Sequence, residues 1–209
     1  MGAAPSLFDN NTAVTQDEIL EHFRRTNALL DGHFVLSSGL HSPTYLQCAL
    51  ALQDPSDAQR FGREIAQRLR SEVSLDGVFT VASPAIGGLI IGFAVAEALG
   101  LRFIWTERQN GEMTLRRGFQ VRRGEKVVVV EDVITTGGST RECMGALEQH
   151  GAEIVGAGSI VDRSAGHADV GVPRIAMLSL EVPTYDASNC PLCADGSQAV
   201  KPGSRTLGK

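Results

Sequence analysis

Val127–Thr140 reads VVVVEDVITTGGST. Four consecutive valines form an apolar run of the kind buried on both faces of a parallel sheet. Two adjacent acids, Glu131 and Asp132, follow, and then a loop of Thr135, Thr136, Gly137, Gly138, Ser139 and Thr140 opens a helix. A helix N-terminus presents unpaired backbone N–H groups and the positive end of its dipole, which suits a phosphate. The glycines let the backbone approach closely, and the hydroxyls add donors without adding charge. Acids repel a phosphate, so Glu131 and Asp132 are expected to serve another part of the same ligand. Carboxylates one ribose-width away are placed to accept hydrogen bonds from sugar hydroxyls. The segment is neither a Walker loop, lacking GKS or GKT, nor a GxGxxG dinucleotide loop.

Outward from this segment the pattern alternates. Strands are expected at Val78–Ala82, Phe103–Thr106, Val127–Glu131, Ile154–Val161 and Ile175–Leu180. Helices are expected at Gly88–Leu99 and Ser139–His150, the latter closed by Gly151. Such alternation predicts an α/β fold, an open, mostly parallel sheet flanked by helices and joined by right-handed crossovers. Met113–Phe119 and Gln120–Arg123 read as a hairpin or flexible excursion. Upstream, Thr15–Glu18 is a capping box opening a helix to about Leu30. Ser56 is expected to cap a second helix with Phe61, Ile65 and Leu69 on one face. Between these helices, short β-like pieces are expected at Phe34–Leu36 and Thr44–Gln47. Residues 1–60 are expected to form a hood and 61–182 the core. The tail, 183–209, should pack near the hood, over the carboxyl ends of the strands.

The 209 residues are 43% hydrophobic and 21% charged, ordinary for a globular chain, with no apolar run of membrane-spanning length and no secretory signal pattern. A cytosolic location is expected. The net charge of −5 gives no general footprint for nucleic acid. Between Arg102 and Lys126, however, seven basic residues face three acids. That local excess fits a compact polyanion, or else a solvated hairpin. Cys48 and Cys143 read as small core residues. Cys190 and Cys193 form CPLC, the spacing of half a zinc site, but no second CxxC or HxxxH accompanies it, so a structural turn is the expected reading.

The run of four apolar residues, two acids, two variable residues, Thr, one variable residue and Gly resembles the signature of the type I phosphoribosyltransferases. Most of the chain resembles the orotate phosphoribosyltransferases, specifically a bacterial branch. GHFVLSSGLHSPTYLQC (Gly32–Cys48) is similar to that family's hood, SPAIGG (Ser83–Gly88) to its pyrophosphate loop, VDRSAG (Val161–Gly166) to its base-binding segment, and RRGF (Arg116–Phe119) to the end of its mobile loop. The resemblance implies transfer of a phosphoribosyl group from 5-phosphoribosyl 1-pyrophosphate to orotate, giving orotidine 5′-monophosphate and pyrophosphate in de novo pyrimidine synthesis. It implies Mg²⁺ held through substrate and water rather than by protein ligands, and a homodimer sharing a loop across its interface. It also implies roles. Thr135–Thr140 hold the 5-phosphate, while Ala85, Ile86, Gly87 and Gly88 hold pyrophosphate. Arg163 pairs with the orotate carboxylate, and Ser37, Ser38 and Tyr45 line the base pocket. Arg163 could instead form a surface salt bridge, Gly87 and Gly88 could serve helix–strand packing, and Tyr45 could be a core aromatic.

The sequence departs from the family where a mobile loop usually carries two lysines and a histidine. Here that stretch is Glu107–Met113, with Arg108 alone kept. Ser37 and Gly87 also stand where lysines are common. Arg108, Arg116 and Arg117 are therefore the expected cations for the leaving group. The alternatives are a purine-type phosphoribosyltransferase, which has no use for a carboxylate-binding Arg163, and a phosphoribosyl-pyrophosphate-sensing regulator. The regulator calls for a winged helix or a basic face that the sequence does not supply.

Overall fold

A computed structural model describes residues 14–36 and 38–202. In chain order the elements are α1 (Gln16–Arg25), β1 (Leu29–Val35), β2 (His41–Leu46), α2 (Cys48–Ala51), α3 (Pro55–Glu72), β3 (Val78–Pro84), α4 (Gly88–Leu99) and β4 (Arg102–Gln109). They continue as β5 (Glu112–Leu115), β6 (Lys126–Ile134), α5 (Gly138–Glu148), β7 (Glu153–Asp162), β8 (Arg174–Ser179) and α6 (Pro191–Ala194).

Six strands form one sheet in the order β5-β4-β3-β6-β7-β8. All neighbours are parallel except β4 and β5, an antiparallel pair turning at Asn110-Gly111. The expected open, mostly parallel α/β sheet is borne out, and the excursion after β4 is partly a true hairpin. The four valines lie on β6 at the centre of the sheet, fully buried. Their side chains alternate between faces. Val128 and Val130 join a core built with Phe61, Ile65 and Leu69 of α3 and Ile91 and Val95 of α4. Val127 and Val129 pack with Cys143, Met144 and Leu147 of α5 on the opposite face. Each valine therefore serves one of two cores, which is why the run tolerates no polar residue.

Local sequence decides the helix boundaries, and two differ from expectation. The capping box is present: Thr15 Oγ1 accepts from the Glu18 amide at 3.3 Å, and Glu18 Oε2 accepts from the Thr15 amide at 2.8 Å. But α1 ends at Arg25, not near Leu30. The Thr26 hydroxyl donates back to the His22 carbonyl at 2.8 Å, and Asn27 turns left-handed at φ 56, which breaks the helical path. Leu29 and Leu30 consequently belong to β1. The cap of α3 is Asp54 rather than Ser56. Asp54 Oδ1 accepts from the Ser56 amide at 2.9 Å, and Pro55 occupies the first helical position, where its missing N–H costs nothing.

The strands β1 and β2 form a separate antiparallel hairpin. The chain beyond β8 ties down this hairpin by main-chain hydrogen bonds. Val35 N donates to Val200 O at 2.9 Å and Val200 N to His33 O at 2.8 Å. His41 and Tyr185 exchange bonds of 2.8 and 2.9 Å. The hairpin and the chain from Tyr185 to Val200 are thus joined, beside the ends of β6 and β7. Among the described residues no helix is long and apolar enough to cross a membrane.

Candidate active site

The strand β6 runs on past the valines to Ile134, and Gly137, in the left-handed region at φ 75, turns the chain into α5. A Cβ at Gly137 would lie 2.8 Å from Val170 and 3.0 Å from the Arg141 guanidinium, so both conformation and space require glycine there. Arg141 steadies the loop from behind, donating to the carbonyls of Thr136 at 2.9 Å and Asp169 at 2.5 Å. The first amides of α5 have no partner within the helix and stand next in the chain to the exposed Thr135 and Thr136.

The two acids after the valines part company. Glu131 is buried and accepts from Ser139 Oγ at 2.8 Å and from the Thr140 hydroxyl. Burial raises its carboxyl above the usual range, more than those two hydrogen bonds lower it. Glu131 therefore binds the loop's own hydroxyls together, and Ser139 and Thr140 are engaged with it. Asp132 points elsewhere. One oxygen accepts from the Val133 amide at 2.9 Å, and burial again raises its carboxyl. A Cβ at Gly87 would meet the Asp132 carboxylate oxygens at 2.7 and 2.8 Å, so the loop after β3 lies directly on this acid.

That loop, Ala85–Gly88, contains a cis peptide between Ala85 and Ile86. Ala85 N donates to Thr106 O at 2.8 Å, fixing the loop to β4. Gly88 packs against Ser83 and the Val130 carbonyl, each 3.0 Å from where a Cβ would stand. Gly88 thus shows the close helix–strand packing that was the alternative reading, whereas Gly87 abuts Asp132.

A cavity of about 790 Å³ opens between the hood and the sheet ends. Leu36, Ser38, Leu40 and Tyr45 line it from the hairpin of β1 and β2, Thr135 and Thr136 from the loop after β6, and Arg163 from the end of β7. Ser37 lies outside the described residues. Arg163 is part-buried, and its Nε is buried with no hydrogen-bond partner among the described residues. Burial lowers its guanidinium pKa, a sign of a cation held in a poorly solvated place.

Asp162, next to it, is the strut. Its carboxylate accepts from the Ser164 amide at 2.8 Å, the Ser164 hydroxyl at 2.6 Å, the Gly166 amide at 2.9 Å and Arg174 Nη1 at 2.9 Å. Burial alone would raise this carboxyl, but the Ser164 and Arg174 contacts together hold it below its usual value. Sequence reasoning overlooked Asp162 and Arg174. Asp162 stood beside Arg163 in VDRSAG, but nothing in the sequence marked a partner twelve positions away.

The expected leaving-group cations stand on or just beyond the β4–β5 hairpin. Arg117 donates to Glu107 at 2.5 and 3.1 Å, and Arg116 reaches it at 3.4 Å. The Arg117 hydrogen bond holds the Glu107 carboxyl below its usual value. Arg108 pairs with Glu142 of α5. The Arg108–Glu142 pair is exposed on both sides and is therefore weak, whereas Arg116 and Arg117 are exposed arginines on a part-buried Glu107.

Comparison with known proteins agrees with this geometry. The profile of the phosphoribosyl transferase domain matches residues 56–181. An orotate phosphoribosyltransferase of Pelotomaculum thermopropionicum is 51% identical over 93% of this chain and 100% of its own. That of Desulforamulus reducens is 50% identical over the same shares. Among solved structures, orotate phosphoribosyltransferase from Aeropyrum pernix superposes with a TM-score of 0.63 at 26% identity, covering 78% of this chain and 94% of that one. With the domain profile, nearly full-length relatives and the fold in agreement, the chain belongs to the orotate phosphoribosyltransferase family of phosphoribosyl transferases.

Proposed function

We infer that the chain transfers the 5-phosphoribosyl group from 5-phosphoribosyl 1-pyrophosphate to orotate, releasing pyrophosphate, as a step of pyrimidine nucleotide synthesis. The observation that carries this reading is Arg163, which lines the cavity and whose buried Nε has no hydrogen-bond partner among the described residues. A planar guanidinium in that setting matches a planar carboxylate-bearing base, where a bidentate pair gives both charge and orientation. A purine offers no such group.

Displacement at the anomeric carbon builds positive charge on the sugar as pyrophosphate leaves. The chain's contribution is to position the partners, neutralise the leaving group and exclude water. In our reading the α5 amides and the Thr135 and Thr136 hydroxyls hold the 5-phosphate. The Asp132 carboxylate accepts from the ribose hydroxyls, and the Gly87 backbone sits against the pyrophosphate. Ser38 and Tyr45 cover the base from the hood. Arg108, Arg116 and Arg117 then exchange Glu142 and Glu107 for pyrophosphate oxygens as the hairpin closes.

Mg²⁺ fits this site as a substrate-borne ion. It favours oxygen ligands, and Glu131 is committed to Ser139 and Thr140 while Asp132 accepts from the Val133 amide and faces the ribose in our reading, so the ion would be held through substrate and water. When bound it would supply charge neutralisation to the leaving group. We further propose a cytosolic homodimer. Supporting it, Ile90 and Phe93 of α4, preceded by Ile86, present an exposed apolar face one helical spacing apart.

The test is the loss of orotate absorbance on adding 5-phosphoribosyl 1-pyrophosphate and Mg²⁺, with Arg163→Ala and Asp132→Asn beside the wild type. Arg163→Ala should raise KM for orotate, and Asp132→Asn should lower kcat, each by about 100-fold in kcat/KM. Turnover of a purine base with none of orotate would overturn the assignment.

A further inference from the structure

Cys190 and Cys193 lie on the tail, at the start of and within α6, far in sequence from the two histidines of the hood hairpin. The fold brings all four together. His33 on β1, His41 on β2 and Cys190 are buried, Cys193 is exposed, and one ligand atom from each lies within 4.8 Å of every other. We propose that these four residues form a structural zinc site that ties the hood hairpin to the tail.

The spacing of the atoms carries the argument. Zinc bonds to sulfur are about 2.3 Å and to imidazole nitrogen about 2.0–2.1 Å, in a tetrahedron. The edges of that tetrahedron are then about 3.6 Å for S···N and about 3.4 Å for N···N. Here His33 Nε2 stands 3.5 Å from Cys190 Sγ and 3.8 Å from Cys193 Sγ, and His41 Nδ1 stands 3.4 Å from Cys193 Sγ. The two nitrogens, at 2.9 Å, need to part by about 0.5 Å, and the four atoms, which lie within 4.8 Å of one another, need to close on a common centre to meet the same geometry.

Hydrogen bonding among the four explains the arrangement less well. His33 Nδ1 lies 3.1 Å from the Ser197 carbonyl, an acceptor, so this nitrogen carries the proton. That leaves Nε2 a single in-plane lone pair, yet His41 Nδ1 and both sulfurs converge on it. A common centre satisfies all of them. The Ser197 carbonyl then plays the part usual for a metal-bound histidine, fixing tautomer and ring orientation. Two sulfurs and two nitrogens in a tetrahedron select zinc over the oxygen-seeking Mg²⁺ or Ca²⁺. Four protein ligands leave no open position, so the site is structural rather than catalytic.

The site's place in the fold gives it a task. β1 and β2 run into the segment that lines the base cavity with Leu36, Ser38, Leu40 and Tyr45, and the tail adds Val182 and Thr184. A metal joining His33 and His41 to Cys190 and Cys193 would hold those two walls at a fixed separation.

The experiment is elemental analysis of the purified full chain, grown with zinc and dialysed without chelator, beside a Cys190→Ser/Cys193→Ser double variant. About one zinc per chain in the wild type, and under a tenth of that in the variant, is the expected result. Wild-type protein reconstituted with Co²⁺ should show the strong visible bands of a tetrahedral ion and thiolate-to-metal charge transfer. This second measurement does not depend on the variant folding. Less than 0.1 zinc per chain with no thiolate–cobalt band would overturn the proposal. A Cys190–Cys193 disulfide found by thiol counting, or zinc retained in full by the double variant, would overturn it too.

Discussion

Replacing Gly87 by alanine isolates how closely the loop after β3 and the Asp132 carboxylate are fitted. Gly87 has φ −55 and ψ −44, helical values that alanine adopts without strain. The perturbation is therefore steric. The new methyl would lie 2.7 Å from Asp132 Oδ1, whereas ordinary contact begins near 3.4 Å, so the carboxylate must move by about 0.7 Å. Because the obstacle is the end of a side chain, the fold can yield by rotating it, at a cost of about 1 kcal/mol. For a chain of this size that is a loss of about 2–4 °C in Tm. Catalysis is less forgiving, since a 1 Å misplacement of a positioned group costs about 100-fold. The expected outcome is a fall of about 10–50-fold in kcat/KM for 5-phosphoribosyl 1-pyrophosphate, equal to about 1.4–2.3 kcal/mol of transition-state stabilisation. Initial rates followed by orotate absorbance, with a thermal scan of the same preparation, measure both. A variant within threefold of wild type in kcat/KM, at unchanged Tm, would refute the role given to Asp132. A loss of more than about 10 °C would show instead that Gly87 serves packing.

Two glycines inside helices should respond to alanine with opposite signs. At Gly62 of α3 the methyl would meet the Ala94 backbone at 2.6–2.7 Å, and overpacking by about 1–3 kcal/mol should outweigh the helix-propensity gain of about 1. Gly145 of α5 has nothing within 4 Å, so Gly145→Ala should gain about 0.5–1 kcal/mol, and urea titrations would expose a wrong sign in either. Asp162→Asn should lose about 2 kcal/mol at pH 7, because the Arg174 and Ser164 contacts weaken. The folded carboxyl lies below its usual value, so its stabilisation is present above about pH 4 and disappears as pH falls through the folded value. Wild type and variant should then converge as pH falls below about 4, and a gap that stays constant with pH would contradict the assignment.

The sheet and the turn from β6 into α5 were legible because the pattern there is local. Four valines, two acids and a Gly/Thr turn fix strand, loop and helix within fourteen residues, and the strand's burial on both faces follows from its composition. The hood was harder to read. Leu29–Val35 places Asp31, Gly32 and His33 in mid-strand with no alternation, so only pairing with β2 and the tail makes it β. The division of labour between Glu131 and Asp132 was also hidden, because adjacent strand residues point to opposite sides and sequence does not say which side holds the loop hydroxyls. The histidines beside CPLC escaped notice for a related reason. Zinc ligands are usually sought at short spacing, and here 157 positions separate His33 from Cys190.

The tail's hydrogen bonds to β1 and β2 bear on the order in which the molecule is made. His33 meets Ser197, 164 positions later. At a synthesis rate of about 5–20 residues per second, the hood hairpin waits about 10–30 s for its partner to be translated. By then β3 to β8 and their crossover helices, whose contacts lie closer in sequence, have all been made. During biosynthesis the strands and crossover helices of the sheet are therefore complete first, and the hairpin of β1 and β2 receives its last partners at the end.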